Sequence, residues 1–437
     1  MKLGKFQKET AWAALSKGFT LVSFLLINMV LTRSMGREGF GAWSYFYAFF
    51  SVAYLASLLG INDSTRIHVA RRLGGDVTGP IRDGLRFRLL ISGVLAVLMF
   101  LSAPLVCAWI DRPGFVSLFR LGSVFLAAQG ASDFFRSVFE GLHRLRYTCM
   151  ATFTDYGLRL ALLVVFVFWM PPGIAALFAF ALGSLCASLF SWTMLRHLFS
   201  TPSAPQGTSS SGREGGRALL GYAMPMFVLA FGFSVSVELG TIMTGWLSTD
   251  AEVGIYAPAK EISARMMHGG LLLAMGTLQV FANMDPAEIP RLRKILRRLM
   301  FIAVVVYAGL CVFILLGAGI FMPLLFGGQF AEAATPMRLL TPFIFFYSIS
   351  RVYSGILDYR GRAWRRCGYL VLSVGLNFAL NLLLIPKMGA NGAAIATSLA
   401  YIPYVVLTYV EACRTLWIPP EAYATAGQSR TGSCHEQ

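Results

Sequence analysis

The sequence predicts an all-α polytopic membrane protein with about twelve transmembrane helices in two six-helix lobes, related by a pseudo-two-fold axis along the membrane normal. Three observations predict it. Of 437 residues, 56% are hydrophobic and 13% charged, against about 25% charge in a typical soluble domain. Twelve apolar segments reach the roughly 20 residues that cross a bilayer. The second half of the chain also repeats short motifs of the first at a nearly constant offset.

The first span, 12–32, follows a basic start like that of a signal peptide. Its apolar run of about twenty residues lacks a small-residue cleavage site, so it reads as a retained helix. The second, 40–61, starts at a tight turn around Gly41, and a long basic segment leads to 87–110 and then 116–139. Arg144 and Arg146 precede 149–169, and Gly173 starts 173–195. Residues 196–217, RHLFSTPSAPQGTSSSGREGGR, are rich in Ser, Gly and Pro and read as a flexible cytoplasmic linker. Beyond it lie 218–246 and 252–282, interrupted by Pro225 and Pro258. Each proline removes a helix hydrogen bond and marks a candidate hinge. The run Arg291 to Arg298 leads into 297–317, then 335–356 follows, and the run Arg360 to Arg366 leads into 368–385. The last span, 392–413, starts at Gly392. The expected organisation is an N-lobe at 1–195, the linker at 196–217, a C-lobe at 218–413 and a cytoplasmic tail at 414–437.

The repeat is weak at any one place and consistent in sum. GFGAWSY from Gly39 matches EVGIYAP from Glu252, aligning Gly41 with Gly254 at an offset of 213. SVFEGLHRLR from Ser137 matches RVYSGILDYR from Arg351 at 214, GLRLAL from Gly157 matches GLNFAL at 218, and GIAA from Gly173 matches GAAI at 219. Because six spans is an even number, both copies have the same orientation.

The formal net charge of +16 is a topology signal before it is anything else. With both termini in the cytoplasm, the cytoplasmic segments hold twenty-five Lys and Arg and the external loops four: Arg33, Arg37, Arg112 and Lys387. The cytoplasmic set includes Arg66, Arg71, Arg72, Arg82, Arg86 and Arg88, assigned to one loop, and Arg360, Arg362, Arg365 and Arg366, assigned to another. No nucleic-acid partner is needed to explain the charge. The seven cysteines form no CxxC pair and the five histidines no HExxH, so no metal site is expected. No GxxxxGK(S/T) loop is present, and the external loops are too short to hold the catalytic residues of a membrane glycosyltransferase.

Eight cations fall inside spans. A charge at mid-bilayer costs on the order of 3 kcal/mol, so such groups face a bundle interior or a wet cavity unless they lie near a helix end and snorkel. Arg120, Arg338 and Arg351 lie near ends. Lys17 and Arg136 lie about one turn in, and Arg159, Lys260 and Arg265 lie deeper. The intramembrane acids are fewer: Asp133, Asp155, Glu238, Glu261 and Glu411. Asp155 and Arg159 are four apart, as are Glu261 and Arg265, while Asp133 and Arg136 are three apart, so all three can pair on one helix face. Glu238 has no cation within a turn of its own helix, and with Asp155 it is a candidate H⁺ or Na⁺ coupling site. Asn28, Asn377 and Asn381 are candidate sugar contacts, against the plainer role of amides that bridge membrane helices. No cofactor is called for.

Several stretches resemble the polysaccharide transporter family, which shares a superfamily with the multidrug and toxin extruders. These are NLLLIPKMGANGAAIATSL from Asn381, LTRSMGREGFGAWSYFYAFFSV from Leu31, LSTDAEVGIYAPAKEIS from Leu247 and LFGGQFAEAATPMRLL from Leu325. The resemblance implies two six-helix bundles around a cavity that opens alternately to either side of a bacterial inner membrane. It also implies a flippase, not an enzyme, that moves polyprenyl-pyrophosphate-linked oligosaccharide outward among membrane lipids and alongside a polysaccharide polymerase. On that reading Lys17, Arg136, Arg159, Lys260 and Arg265 form a cationic patch for the pyrophosphate. The alternatives are an ion-coupled multidrug exporter of the same fold and, less favoured, a peptidoglycan-precursor flippase, which resembles a fourteen-helix pattern.

Overall fold

A computed structural model describes residues 3–72, 77–200, 213–267, 289–359 and 362–417. Among the described residues there are twelve α-helices and no strand. They are α1 (Leu3–Ala56), α2 (Ile61–Arg71), α3 (Thr78–Trp109), α4 (Val116–Gly141), α5 (Leu145–Phe166) and α6 (Pro172–Ser200), then α7 (Arg213–Leu247), α8 (Asp250–Met267), α9 (Ile289–Phe326), α10 (Ala334–Leu339), α11 (Thr341–Tyr359) and α12 (Ala363–Trp417).

Eight of these helices are long and apolar enough to cross a membrane. Two of the eight, with apolar stretches of 46 and 52 residues, are far longer than the roughly 20 residues of one crossing. Each is two spans joined at one glycine. In α1 the break is Gly36 (φ 69°, ψ −176°), and in α12 it is Gly389 (φ 53°, ψ −129°). Both conformations are open to glycine and strained for a residue with a Cβ. They separate spans one from two and eleven from twelve where the sequence places those turns, and the chain is a multi-pass membrane protein.

The ends of the expected linker are helical. Residues 196–200 complete α6 and 213–217 begin α7, while 201–212 lie outside the described residues, as do 268–282 of the eighth expected span and 418–437 of the expected tail. The basic segment after span two is not simply a loop. Ile61–Arg71 forms α2, whose Thr65 and Val69 are buried one turn apart, on the same side as each other.

The described residues fall into two compact units, 1–258 with 320–333, and 259–319 with 334–437. Two of their three boundaries lie inside helices, at Pro258 in α8 and at Gly319 in α9, and the third falls at Ala333, just before α10. In the first unit α4 is central, with α2, α3, α5 and α6 packed on it. Its buried side is rich in small residues, including Gly122, Ser123, Ala128, Gly130 and Ser132, which let neighbouring helices approach closely. Phe50 stacks on Phe125 with ring centroids 4.8 Å apart, and Phe125 meets Phe180 at 5.5 Å, so aromatic contacts join α1, α4 and α6. In the second unit α11 packs on α12, and Phe343, Tyr347, Tyr401 and Tyr404 form a buried aromatic group.

Candidate functional site

Three helices of the first unit carry polar residues at helical spacing. Ser16, Lys17 and Thr20 lie on α1, Asp133, Arg136, Ser137 and Glu140 on α4, and Thr148, Thr152 and Tyr156 on α5. Repeats of three and four put each set on one helix face. The three faces meet around a cavity of about 270 Å³, and Ser16 donates to Thr152 across it at 3.1 Å. Six of the lining side chains are hydroxylic. The cavity lies where α4 ends and α5 begins, the end that the basic-residue asymmetry assigns to the cytoplasm.

The cations around it differ in how they are held. Arg136 bonds Asp133 on its own helix, and its Nη1 lies 3.2 Å from Asp155 Oδ2. Arg159 sits one layer behind the cavity wall. Its Nε donates to Asp155 Oδ1 at 2.7 Å, and its Nη2 donates to Gln129, to Ser184 Oγ at 2.6 Å and to Asp155 Oδ2 at 3.1 Å. Its guanidinium also faces the rings of Tyr156, Phe125 and Phe180 at 5.0 to 5.6 Å. Tyr54 and Gln129 donate to Asp133, and Ser132 donates to Asp155 at 3.1 Å. Glu140 on the cavity wall is met by Arg66 of α2 at 3.2 Å. Lys17, in contrast, is exposed on the cavity wall and forms no ion pair among the described residues. Its charge is the one available to an anion.

The sequence-predicted residues therefore divide. Lys17, Arg136, Asp155 and Arg159 gather in the first unit. Lys260 and Arg265 belong to the second, where Glu261 lies 3.0 Å from Lys260 Nζ and 3.7 Å from Arg265 Nη2. Glu238 is half-buried on α7. Asn28 donates to the Phe24 carbonyl one turn earlier in α1 at 2.9 Å. Asn377 and Asn381 are fully buried on α12, where Asn381 donates to Asn377 at 2.7 Å. Pro258 stands at a boundary between units, and Pro225 falls within α7. The three proposed intrahelical pairs form as their spacing predicts.

Two arginines assigned to loops lie elsewhere. Arg88, on α3, is 0% exposed and donates to the carbonyls of Ser57 and, at 3.2 Å, Gly130, with the Tyr54 ring 5.7 Å away. Arg366, on α12, is 2% exposed, bonds Asp358 and donates to Tyr404 at 3.1 Å. Counting basic residues by chain position misses both, because each lies inside a helix, Arg88 about three turns and Arg366 about one turn from its start, where neighbouring elements cover it. The hydroxyl stripe on α5 was legible as Thr148, Thr152 and Tyr156 at intervals of four, a pattern without charge that went unread.

The sequence matches the family described as "Polysaccharide biosynthesis protein" over residues 6–281. No curated protein sequence matches it. Its fold is shared with an inward-facing multidrug resistance MATE family transporter of the MOP superfamily, at 18% identity and TM-score 0.68, covering 90% of this chain and 95% of that one. A MOP superfamily transporter from Pyrococcus furiosus, described as having a binding pocket of reversed polarity, aligns at 16% identity and TM-score 0.65, covering 93% and 94%. The eukaryotic MATE transporter AtDTX14 aligns at 14% identity and TM-score 0.64, covering 93% and 96%. The all-helical, two-lobe fold is that of these transporters.

Proposed function

The chain belongs to the polysaccharide biosynthesis protein family, and on that premise we propose that it is a MOP superfamily flippase moving polyprenyl-pyrophosphate-linked oligosaccharide from the cytoplasmic to the external leaflet. It works by alternating access between lobes at 1–195 and 218–413, with the linker 196–217, the tail 414–437 and both termini in the cytoplasm of a bacterial inner membrane. The observation that carries this reading is the cavity between α1, α4 and α5. It offers one cation without an ion pair, Lys17, a second on its wall, Arg136, and six hydroxylic side chains. A lipid diphosphate entering a low-dielectric region needs fixed cations in place of lost water. Sugar hydroxyls can donate to the oxygens of Ser16, Thr20, Ser137 and Thr152, whose own protons go to protein acceptors, and pair with the phenol of Tyr156 and the hydroxyl of Thr148, unpartnered among the described residues. At about 270 Å³ the cavity is below the roughly 300–1,000 Å³ of small-molecule pockets, so it takes the diphosphate and the first sugar rather than a whole oligosaccharide. The lipid tail stays in the bilayer.

Arg159 acts in this scheme by fixing Asp155 and Arg136, and Lys260 and Arg265, both beside Glu261, are further proposed cations for the diphosphate. Asp155 and Glu238 are the proposed proton or Na⁺ sites. Pro258 is the favoured hinge because a unit boundary falls on it. Asn28, Asn377 and Asn381 are already engaged within their own helices, which weakens their case as sugar contacts. Export of a cationic drug by the same fold would use open carboxylates, whereas Asp133 and Asp155 are met by arginines.

The test is translocation of a fluorescent polyprenyl-pyrophosphate-linked sugar in proteoliposomes. Lys17→Ala is expected to lower the rate about tenfold, the equivalent of roughly 1.4 kcal/mol of lost stabilisation, and Lys17→Arg to keep most of it. An unchanged rate in Lys17→Ala at equal protein content refutes the assignment.

A further inference from the structure

Gly41 on α1 and Gly254 on α8, aligned by the internal repeat, touch one another. A Cβ on Gly41 would run into the Asp250 carbonyl and lie 2.9 Å from the Gly254 nitrogen, and a Cβ on Gly254 would run into the Arg37 carbonyl. Arg37 and Asp250 each lie four residues before their glycine. The contact is therefore reciprocal, each glycine meeting the carbonyl of residue i−4 on the opposite helix, which is the mark of a two-fold axis passing between them.

Ion pairs flank that contact with the same symmetry. Arg37 Nη1 lies 3.0 Å from Glu332 Oε2, and its Nη2 lies 3.9 Å from Glu252 Oε1. At the equivalent position Asp250 Oδ2 lies 2.5 Å from Arg112 Nη1, whose guanidinium sits over the Tyr45 ring at 5.4 Å. Glu332 follows α9 and Arg112 follows α3, corresponding connections in the two halves. The charges are segregated: both arginines come from the sequence before the linker and all three acids from the sequence after it. All of these residues lie in one compact unit, at the helix ends that the basic-residue asymmetry assigns to the outside.

We propose that these two pseudo-symmetric ion pairs, clamped across the Gly41–Gly254 contact, are a latch that holds the external end shut and must part before cargo leaves outward. The latch rests on the alternating-access reading but not on the identity of the cargo. Opposite charge on the two halves makes closure self-complementary, and partial exposure of Arg37, Arg112, Asp250 and Glu252 lets water and salt compete with it. The energies of such pairs suit a contact that must break in every cycle.

The experiment reads opening without cargo. Thr244, fully buried one residue before Gly245, lies beneath the latch, where a Cβ on Gly245 would meet the Tyr45 ring. Thr244→Cys is placed in the full chain with its seven native cysteines changed to alanine, and a membrane-impermeant maleimide is applied from each face separately. Asp250→Arg or Glu332→Arg is expected to raise external labelling about threefold to tenfold, and high salt to raise it in the chain with an intact latch. Arg112→Asp combined with Asp250→Arg is expected to return labelling to its starting level, which a merely unfolded variant would not do. Labelling that ignores the single reversals, or a double swap that stays as reactive as either single, overturns the latch. Because labelling needs no substrate, the latch and the flippase assignment fail separately.

Discussion

Asp155 is the residue whose removal is expected to do most damage to the first unit. Its side chain is 0% exposed and accepts from Arg159 Nε at 2.7 Å, Arg159 Nη2 at 3.1 Å, Ser132 at 3.1 Å and Ser184 at 3.2 Å, with Arg136 Nη1 at 3.2 Å. Asp155→Asn keeps the shape but leaves two buried guanidiniums with Asp133 as their remaining carboxylate in this network. Breaking a buried pair from one side costs about 3–5 kcal/mol, because a charge is left uncompensated. The expected loss is near 3 kcal/mol, since the amide retains part of the hydrogen bonding. Arg159→Gln in the same chain removes the stranded charge, so the double variant should be more stable than the sum of the singles by about 1–3 kcal/mol. The assay is denaturant unfolding of the full chain in one detergent, closed as a double-mutant cycle. An Asp155→Asn protein within about 0.5 kcal/mol of wild type, or a cycle that is additive, would refute the claim that this network is a structural unit.

Arg88→Met leaves the Ser57 carbonyl without its guanidinium partner, while the Gly130 carbonyl keeps its bond within α4, and should destabilise by about 1–3 kcal/mol, with no rescue by Arg88→Lys, whose single ammonium cannot span both; unfolding midpoints check this. Gly254→Val should lower stability by about 1–3 kcal/mol through collision with the Arg37 backbone, and thermal unfolding reads it directly. Glu411→Gln, which weakens charge-assisted bonds to Arg362 and Arg365, should cost about 1.5–3 kcal/mol; a stability equal to wild type would count against the pairing. Pro258→Ala restores a helix hydrogen bond at a unit boundary and is expected to slow turnover at unchanged substrate affinity, measured as initial flipping rates over a concentration series.

Spans were legible because length and apolarity are one-dimensional properties. The turns at Gly36 and Gly389 fall where basic residues, Pro386 and glycines interrupt the apolar runs. α2 was not legible as an element, since a helix of 11 residues with mixed polarity carries no bilayer signal; it forms because Val69 finds a surface on α4, where a Cβ on Gly141 would touch the Arg66 backbone, and Thr65 one against Gly84 of α3. The pairing of Asp155 with Arg159 was legible from its spacing, but not its consequence. Gln129 and Ser184, which complete the Arg159 shell, come from two other helices 30 and 25 residues away. Sequence showed that charges were buried; only the fold shows that Arg159 is enclosed and Lys17 is open.

The same network bears on how the chain enters the membrane. α4 brings Asp133 and Arg136 and α5 brings Asp155 and Arg159, each costing roughly 2.5–3.5 kcal/mol if it reached the bilayer centre alone. Together, and with Ser184 of α6, they become a mutually neutralised set. Insertion as a hairpin, with α5 leaving the translocon while still beside α4, therefore has a lower barrier than release of either helix by itself. What binds the helices in the finished protein also dictates the order in which they can be delivered.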